Sequence, residues 1–247
     1  MLVTILGSAG GAPAPARETS CILVRDRDRV LLLDVGTGAR RLLADDALLA
    51  GVTSVDVVLT HFHFDHIAGL PYLQWVDAQV AIWAPGEWLY QIASTEILAP
   101  LRRPPISPND VTGGPVNELR EGVQTIGGFN VRASAQLHHW EPSVGLRVED
   151  DIAYITDTPF VDSSVSLARG VRHLLHEAWS TSSAPQSLGK DATAAEAARV
   201  ARDAGVGDLT LIHLNRRLDV RALLDDARPI FPRVAAAEDG MVLEFTN

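Results

Sequence analysis

The sequence predicts one α/β domain, and three observations carry that reading. Apolar stretches of strand length alternate with segments whose leucines fall at helical spacing. The 247 residues, 47% of them hydrophobic, suffice for a single large core, taken to span 1–247. A dense run of metal-binding side chains, His61-Phe62-His63-Phe64-Asp65-His66, follows a buried strand pattern from Val55 to Leu59 with Thr60.

Bulk properties narrow the class. No apolar run approaches the ~20 residues that cross a bilayer, so no membrane is expected. The start, Met1 to Leu6, lacks a basic region and a long apolar region and reads as a strand rather than a signal peptide. Cys21 is the only cysteine, which excludes an internal disulfide and fits the cytoplasm. Lys and Arg total 21 against 31 Asp and Glu, a net charge of −10. Proteins that grip long nucleic acids present basic surfaces, so this balance argues against such a partner while leaving a local basic mouth open.

Taken in order, Leu2 to Leu6 is a strand, and Gly7 to Pro15 is a loop of small residues. Ser20–Arg25 and Arg29–Val35 form a hairpin around Asp26-Arg27-Asp28. Asp34-Val35-Gly36-Thr37-Gly38 closes that strand and opens an amphipathic helix to about Leu49. Past the histidine run, Gly69 and Pro71 mark a turn, Gln79–Ala84 a strand and Gly86–Leu98 a helix. Residues 100–118 hold five prolines and Gly113-Gly114, an irregular stretch suited to function or to a subunit contact in a homodimer. Strands follow at Val123–Ile126, Phe129–Leu137, Val144–Glu149, Ile152–Thr156 and Leu209–Leu214.

The histidine run carries the chemistry. Imidazole nitrogens and carboxylate oxygens suit borderline cations, zinc first, with manganese or iron as alternatives. An expression tag would be terminal and uninterrupted; this run lies behind a strand.

The run matches the HxHxDH pattern of the metallo-β-lactamase superfamily, and the chain resembles its ribonuclease Z-like branch. The resemblance implies a four-layer αββα sandwich and a two-metal site. His61 and His63 then belong to one divalent ion, Asp65 and His66 to the other, with Asp34 and Gly36 supporting the loop. Three ligands are expected downstream. His139 precedes Gly145 by the family's spacing, and His138 would face away. Asp157, in Thr156-Asp157-Thr158, resembles the family's GDT signature with threonine for glycine and would bridge the ions. His213 ends a buried strand as the last ligand. Two such ions activate water and clamp a phosphoryl oxygen, which is hydrolytic chemistry. Asp65 would also orient or deprotonate the water.

Departures from the family matter as much. Pro13 to Glu18 aligns with its PxKxRN loop, keeping Arg17 as a substrate-binding candidate but losing the lysine and asparagine. Glu177, in His176-Glu177-Ala178-Trp179, resembles the glutamate that orients a catalytic histidine. Asp191 stands where that histidine belongs, and it also reads as a helix N-cap assisted by Glu196. No tRNA-gripping arm fits between His139 and Asp157.

The sequence therefore points to a hydrolase of small phosphodiesters, with Trp140 and Arg216-Arg217 as further substrate-binding candidates and tRNA disfavoured. Alternatives are a ribonuclease Z-type tRNA 3′ endonuclease, hydrolysis of a sulfate ester, lactone or thioester, and a metal-bound sensing module.

Overall fold

The fold is described from a computed structural model and covers residues 1–98, 116–137, 142–184 and 191–246. Two seven-stranded sheets face each other. The first takes β1 (Leu2–Gly7), β3 (Cys21–Asp26), β4 (Arg29–Leu33), β5 (Ser54–Val58), β6 (Gln79–Pro85), β7 (Val116–Leu119) and β16 (Val242–Glu244), in the order β16-β1-β3-β4-β5-β6-β7. The second runs β15-β13-β12-β11-β10-β9-β8, from β8 (Gly122–Ile126) and β9 (Phe129–Gln136) through β10 (Ser143–Val148), β11 (Ile152–Ile155), β12 (His173–Glu177) and β13 (Asp208–Ile212) to β15 (Val234–Ala236). A short parallel pair, β2 (Ala9–Gly10) with β14 (Leu214–Asn215), lies apart from both sheets.

Each sheet is half antiparallel and half parallel. Pairing switches at β4 in the first sheet and at β11 in the second. Parallel strands bury both faces, which is why they read as continuous apolar runs. In β4, Leu31 and Leu33 point into the core between the sheets, where Val58, Phe129, Leu146 and Tyr154 meet them. Leu32 points the other way, toward Ala39, Leu42 and Leu73 in the outer layer. The outer face of the second sheet, with Ile155, Leu174 and Leu211, packs under helices. Four layers result, the αββα sandwich expected.

Helices are where the sequence reading needs correction. The helix expected through Leu49 is two 3-10 segments, Thr37–Leu43 and Asp46–Leu49. Asp45 accepts a hydrogen bond from its neighbour Ala47 N–H at 3.0 Å and restarts the turn there. Between Gly86 and Leu98 lie two single turns, α2 (Glu87–Tyr90) and α3 (Ser94–Ile97), after the short α1 (Phe64–Ile67) of the histidine run. Gln91, left-handed at φ 57°, stops α2. Beyond lie α4 (Asp162–Ala168), α5 (Ala194–Ala204) and α6 (Val220–Ala227). The N-cap of α5 is Thr193, closed into a capping box with Glu196, so Asp191 is not the cap. The proline-rich stretch read as a subunit contact lies outside the described residues, apart from 116–118. Among the described residues no helix is long and apolar enough to cross a membrane.

Candidate metal centre

The candidate residues collect at the carboxyl ends of the parallel strands, where open α/β sheets place their ligand crevices. Asp34 follows β4, Thr60 and His61 follow β5, Asp157 follows β11, Glu177 ends β12 and His213 follows β13. Three of them, Asp34, Asp157 and His213, have positive φ (57°, 52° and 50°). Asp and His tolerate this region better than most residues, and backbone held there turns the side chain sharply off the strand axis.

Two groups of ligand atoms form. His61, His63 and Asp157 lie with their atoms within 4.8 Å of one another, as do Asp65, His66 and His213. Asp157 spans the two groups. Its Oδ2 is 3.1 Å from His66 Nε2 and 3.4 Å from His213 Nε2, and its Oδ1 is 3.9 Å from His61 Nε2. Thr156, where the family has glycine, donates its hydroxyl to Oδ2 at 2.6 Å. His139 and Trp140 lie outside the described residues, and so does His138.

A hydrogen-bond chain assigns the imidazole tautomers on the first side. Thr60 gives its N–H to Asp34 Oδ1 at 2.7 Å and its hydroxyl proton to Oδ2 at 2.8 Å. His61 Nδ1–H can then only donate to Thr60 Oγ1, 3.0 Å away. His66 Nδ1–H donates directly to Asp34 Oδ2 at 2.7 Å, and Tyr154 O–H joins at 2.8 Å. Both histidines thereby turn Nε2 toward the cluster, the usual arrangement of a carboxylate behind a metal-binding imidazole. This makes Asp34 a support for two ligand candidates, while the N-cap of the following 3-10 segment is Gly36.

Glu177 has a different partner from the one the sequence suggested. Fully buried, it faces His213, with Oε2 3.5 Å from Nδ1, and it accepts the N–H of Thr158 and, at 3.5 Å, of Ala192. It stands behind a ligand candidate, as Asp34 does. Trp179 completes this side, its ring tilted against His213 at 5.7 Å between centroids.

Electrostatics follow from the crowding of carboxylates. Burial works against charge on His66, but Asp157, Asp34 and Asp65 outweigh it and lift its pKa to about 10. His213 is raised in the same way by Asp157, Asp65 and Glu177. Asp65 is lowered: burial opposes its charge, and His66 and His213 more than compensate. Burial pushes Glu177 up to about 8. A buried centre with this surplus of anions calls for cations, and without metal it holds protons instead. The donor set, imidazole and carboxylate in two sharing groups, fits two divalent ions.

The substrate-binding candidates are less well placed. Arg17 donates through Nη1 to Ser8 Oγ at 2.7 Å and to the Ala237 carbonyl, so that nitrogen serves the protein itself. Arg216 is exposed just past β14. The sequence reading missed the first loop's direct hold on the centre. Gly11 N–H donates to Asp65 Oδ2 at 2.7 Å, and a Cβ on Gly10 would lie 2.5 Å from the His213 ring. The small residues of that loop were the available signal.

Comparison with known proteins agrees with this geometry. The family model described as "Beta-lactamase superfamily domain" matches residues 29–214. Ribonuclease Z of Mycobacterium bovis (strain BCG / Pasteur 1173P2) is 30% identical, over 85% of this chain and 85% of its own. Ribonuclease Z of Synechococcus sp. (strain WH7803) is 27% identical over 100% of this chain and 97% of its own. That alignment runs over 322 residues against the 247 here, so the relative holds segments this chain lacks. Among solved structures, the metallo-beta-lactamase fold protein YhfI from Bacillus subtilis superposes with a TM-score of 0.83 at 25% identity, covering 98% of this chain and 99% of that one. The chain belongs to the metallo-β-lactamase superfamily, on its ribonuclease Z-like branch, and is a metal-dependent hydrolase.

Proposed function

We propose that this single domain hydrolyses phosphodiesters with two divalent ions, zinc preferred, and that RNA of the kind a ribonuclease Z cleaves is the leading substrate. The observation that carries the chemistry is Asp157 spanning two three-residue ligand groups. The relatives' shared name, over nearly the whole chain, carries the substrate and moves the reading away from the small phosphodiester preferred on composition alone.

His61, His63 and, from the sequence, His139 would hold one ion and Asp65, His66 and His213 the other, with Asp157 facing both groups. When bound, the pair supplies an activated water and charge stabilisation at phosphorus. The chain's own part is orientation. Asp34 and Thr60 set His61 and His66, Glu177 backs His213, and Gly11 N–H fixes one Asp65 oxygen.

A second reading, a small phosphodiester, keeps specific support. Nη1 of Arg17 is engaged by Ser8 and the Ala237 carbonyl, Asp191 replaces the family's histidine, and the Synechococcus relative carries segments absent here. The test offers zinc-loaded protein a tRNA precursor with a 3′ extension and, separately, bis(p-nitrophenyl) phosphate. Cleavage of the precursor at its 3′ end supports the nuclease. Turnover of the aryl ester alone replaces it with the second reading, and turnover of neither rejects phosphodiester hydrolysis.

A further inference from the structure

Asp239 lies in the turn between β15 and β16, more than 170 residues from Asp65, yet it organises the wall beside one ligand group. Its side chain is 2% exposed. Oδ1 accepts the N–H of Ser8 at 3.0 Å and its hydroxyl at 2.7 Å, while Oδ2 accepts the N–H of Glu18 at 2.7 Å and Arg41 Nη2 at 3.2 Å. Ser8 and Glu18 are the two ends of the first loop, so one carboxylate closes both.

The clamped loop reaches the centre at two points. Its strand β2 pairs with β14 directly after His213, and Leu214 N–H donates to the Ser8 carbonyl at 2.9 Å. Gly10 then lies against the His213 ring so closely that no side chain would fit. One residue on, Gly11 N–H holds Asp65 Oδ2, the oxygen that is also 3.1 Å from His213 Nε2. Both contacts fall in the Asp65, His66 and His213 group.

We infer that Asp239 is a positioning residue for the metal held by Asp65, His66 and His213, acting through the first loop, and that it leaves the other metal's affinity largely unaffected. Four donors converging on one buried carboxylate form a rigid anchor, because the three from the loop would lose their partner if it shifted while Arg41 holds the carboxylate from the neighbouring 3-10 segment. An ion site tolerates little displacement of its ligands, and supporting residues of this kind are typically worth about 10–100-fold in metal affinity.

The test reads metal binding rather than turnover, so it is separate from the substrate question. Demetallated protein is titrated calorimetrically with zinc in two backgrounds, His63→Ala, which isolates the Asp65 group, and His213→Ala, which isolates the other. Asp239→Asn keeps the shape but turns an amide N–H toward Glu18 N–H and Arg41. It should weaken the Asp65 group by about 10–100-fold and change the other by less than about twofold. Equal weakening in both backgrounds, or a lower melting temperature with both affinities kept, overturns the inference. Should Asp239→Asn fail to fold, Ser8→Ala decides by the same criterion of selectivity, since it removes one donor to Asp239 and the acceptor used by Arg17.

Discussion

Pairing changes from antiparallel to parallel at β4 in the first sheet and at β11 in the second, and each of these strands leads into an aspartate of positive φ, Asp34 and Asp157. The two aspartates hold equivalent places but do different work. Asp34 lies behind the centre, gathering four donors from Thr60, His66 and Tyr154. Asp157 enters the centre itself and faces histidines of both groups. Support for the second half's histidine, His213, then falls to Glu177 on the next strand, with two amide donors and a 3.5 Å contact. A carboxylate with four close donors is locked in one orientation. One with fewer partners, buried as deeply, keeps its proton to about pH 8.

The largest effect expected from this asymmetry comes from giving Glu177 the second imidazole the family provides. Asp191 is buried, and the backbone N–H after it already reaches Glu177. Asp191→His places a proton donor there. Hydrolysis of alkyl phosphodiesters, whose leaving group needs a proton, should rise by ~10²-fold or more, while aryl esters change little. kcat/KM for both ester types in both proteins decides. Equal wild-type activity on alkyl and aryl esters would show that the proton already has another source.

Asp34→Ala tests the locked half. Thr60 N–H and Tyr154 O–H, both fully buried, would lose their acceptor at roughly 1–3 kcal/mol each. For a chain this long that lowers the melting temperature by roughly 10 °C, with zinc affinity down about 10–100-fold. Calorimetry of the metal-free and zinc-loaded forms measures both. A loss no greater than that of Glu177→Ala would dissolve the distinction between the halves.

Much of the centre was nameable from sequence because of how its parts are distributed. His61, His63, Asp65 and His66 fall within six residues, so residue type and spacing alone revealed them. Asp157 and His213 could be named only through a family pattern, since a single Asp or His at a strand end carries no chemistry by itself. Supporting residues were harder. Nothing local tells that Glu177 faces His213, or that Asp239 closes a loop more than 200 residues away, because those pairings exist only once the sheets are stacked. The helical layer over the first sheet was misread for a related reason. Gly38 packs so close to β1 that a Cβ would lie 2.8 Å from Gly7 N, and that closeness accompanies short 3-10 turns where leucine spacing suggested a regular helix.

The smallest effect is the most specific to the weakly held half. In the metal-free protein Glu177 titrates near 8 when folded, against an ordinary value of 4.5, so between those limits the folded state binds the extra proton. Stability must then fall as pH rises through that window, at up to about 1.4 kcal/mol per pH unit for this group. His66 and His213, also raised, act in the same direction, and their contribution largely cancels when two proteins differing only at Glu177 are compared. Glu177→Gln keeps the shape of the protonated acid and cannot ionise. Relative to wild type it should therefore gain stability from about pH 5 to pH 8, the difference levelling off above. Chelator-treated samples melted across this range give the measurement. Parallel curves would mean that Glu177 is ionised at neutral pH and meets His213 as a charged carboxylate.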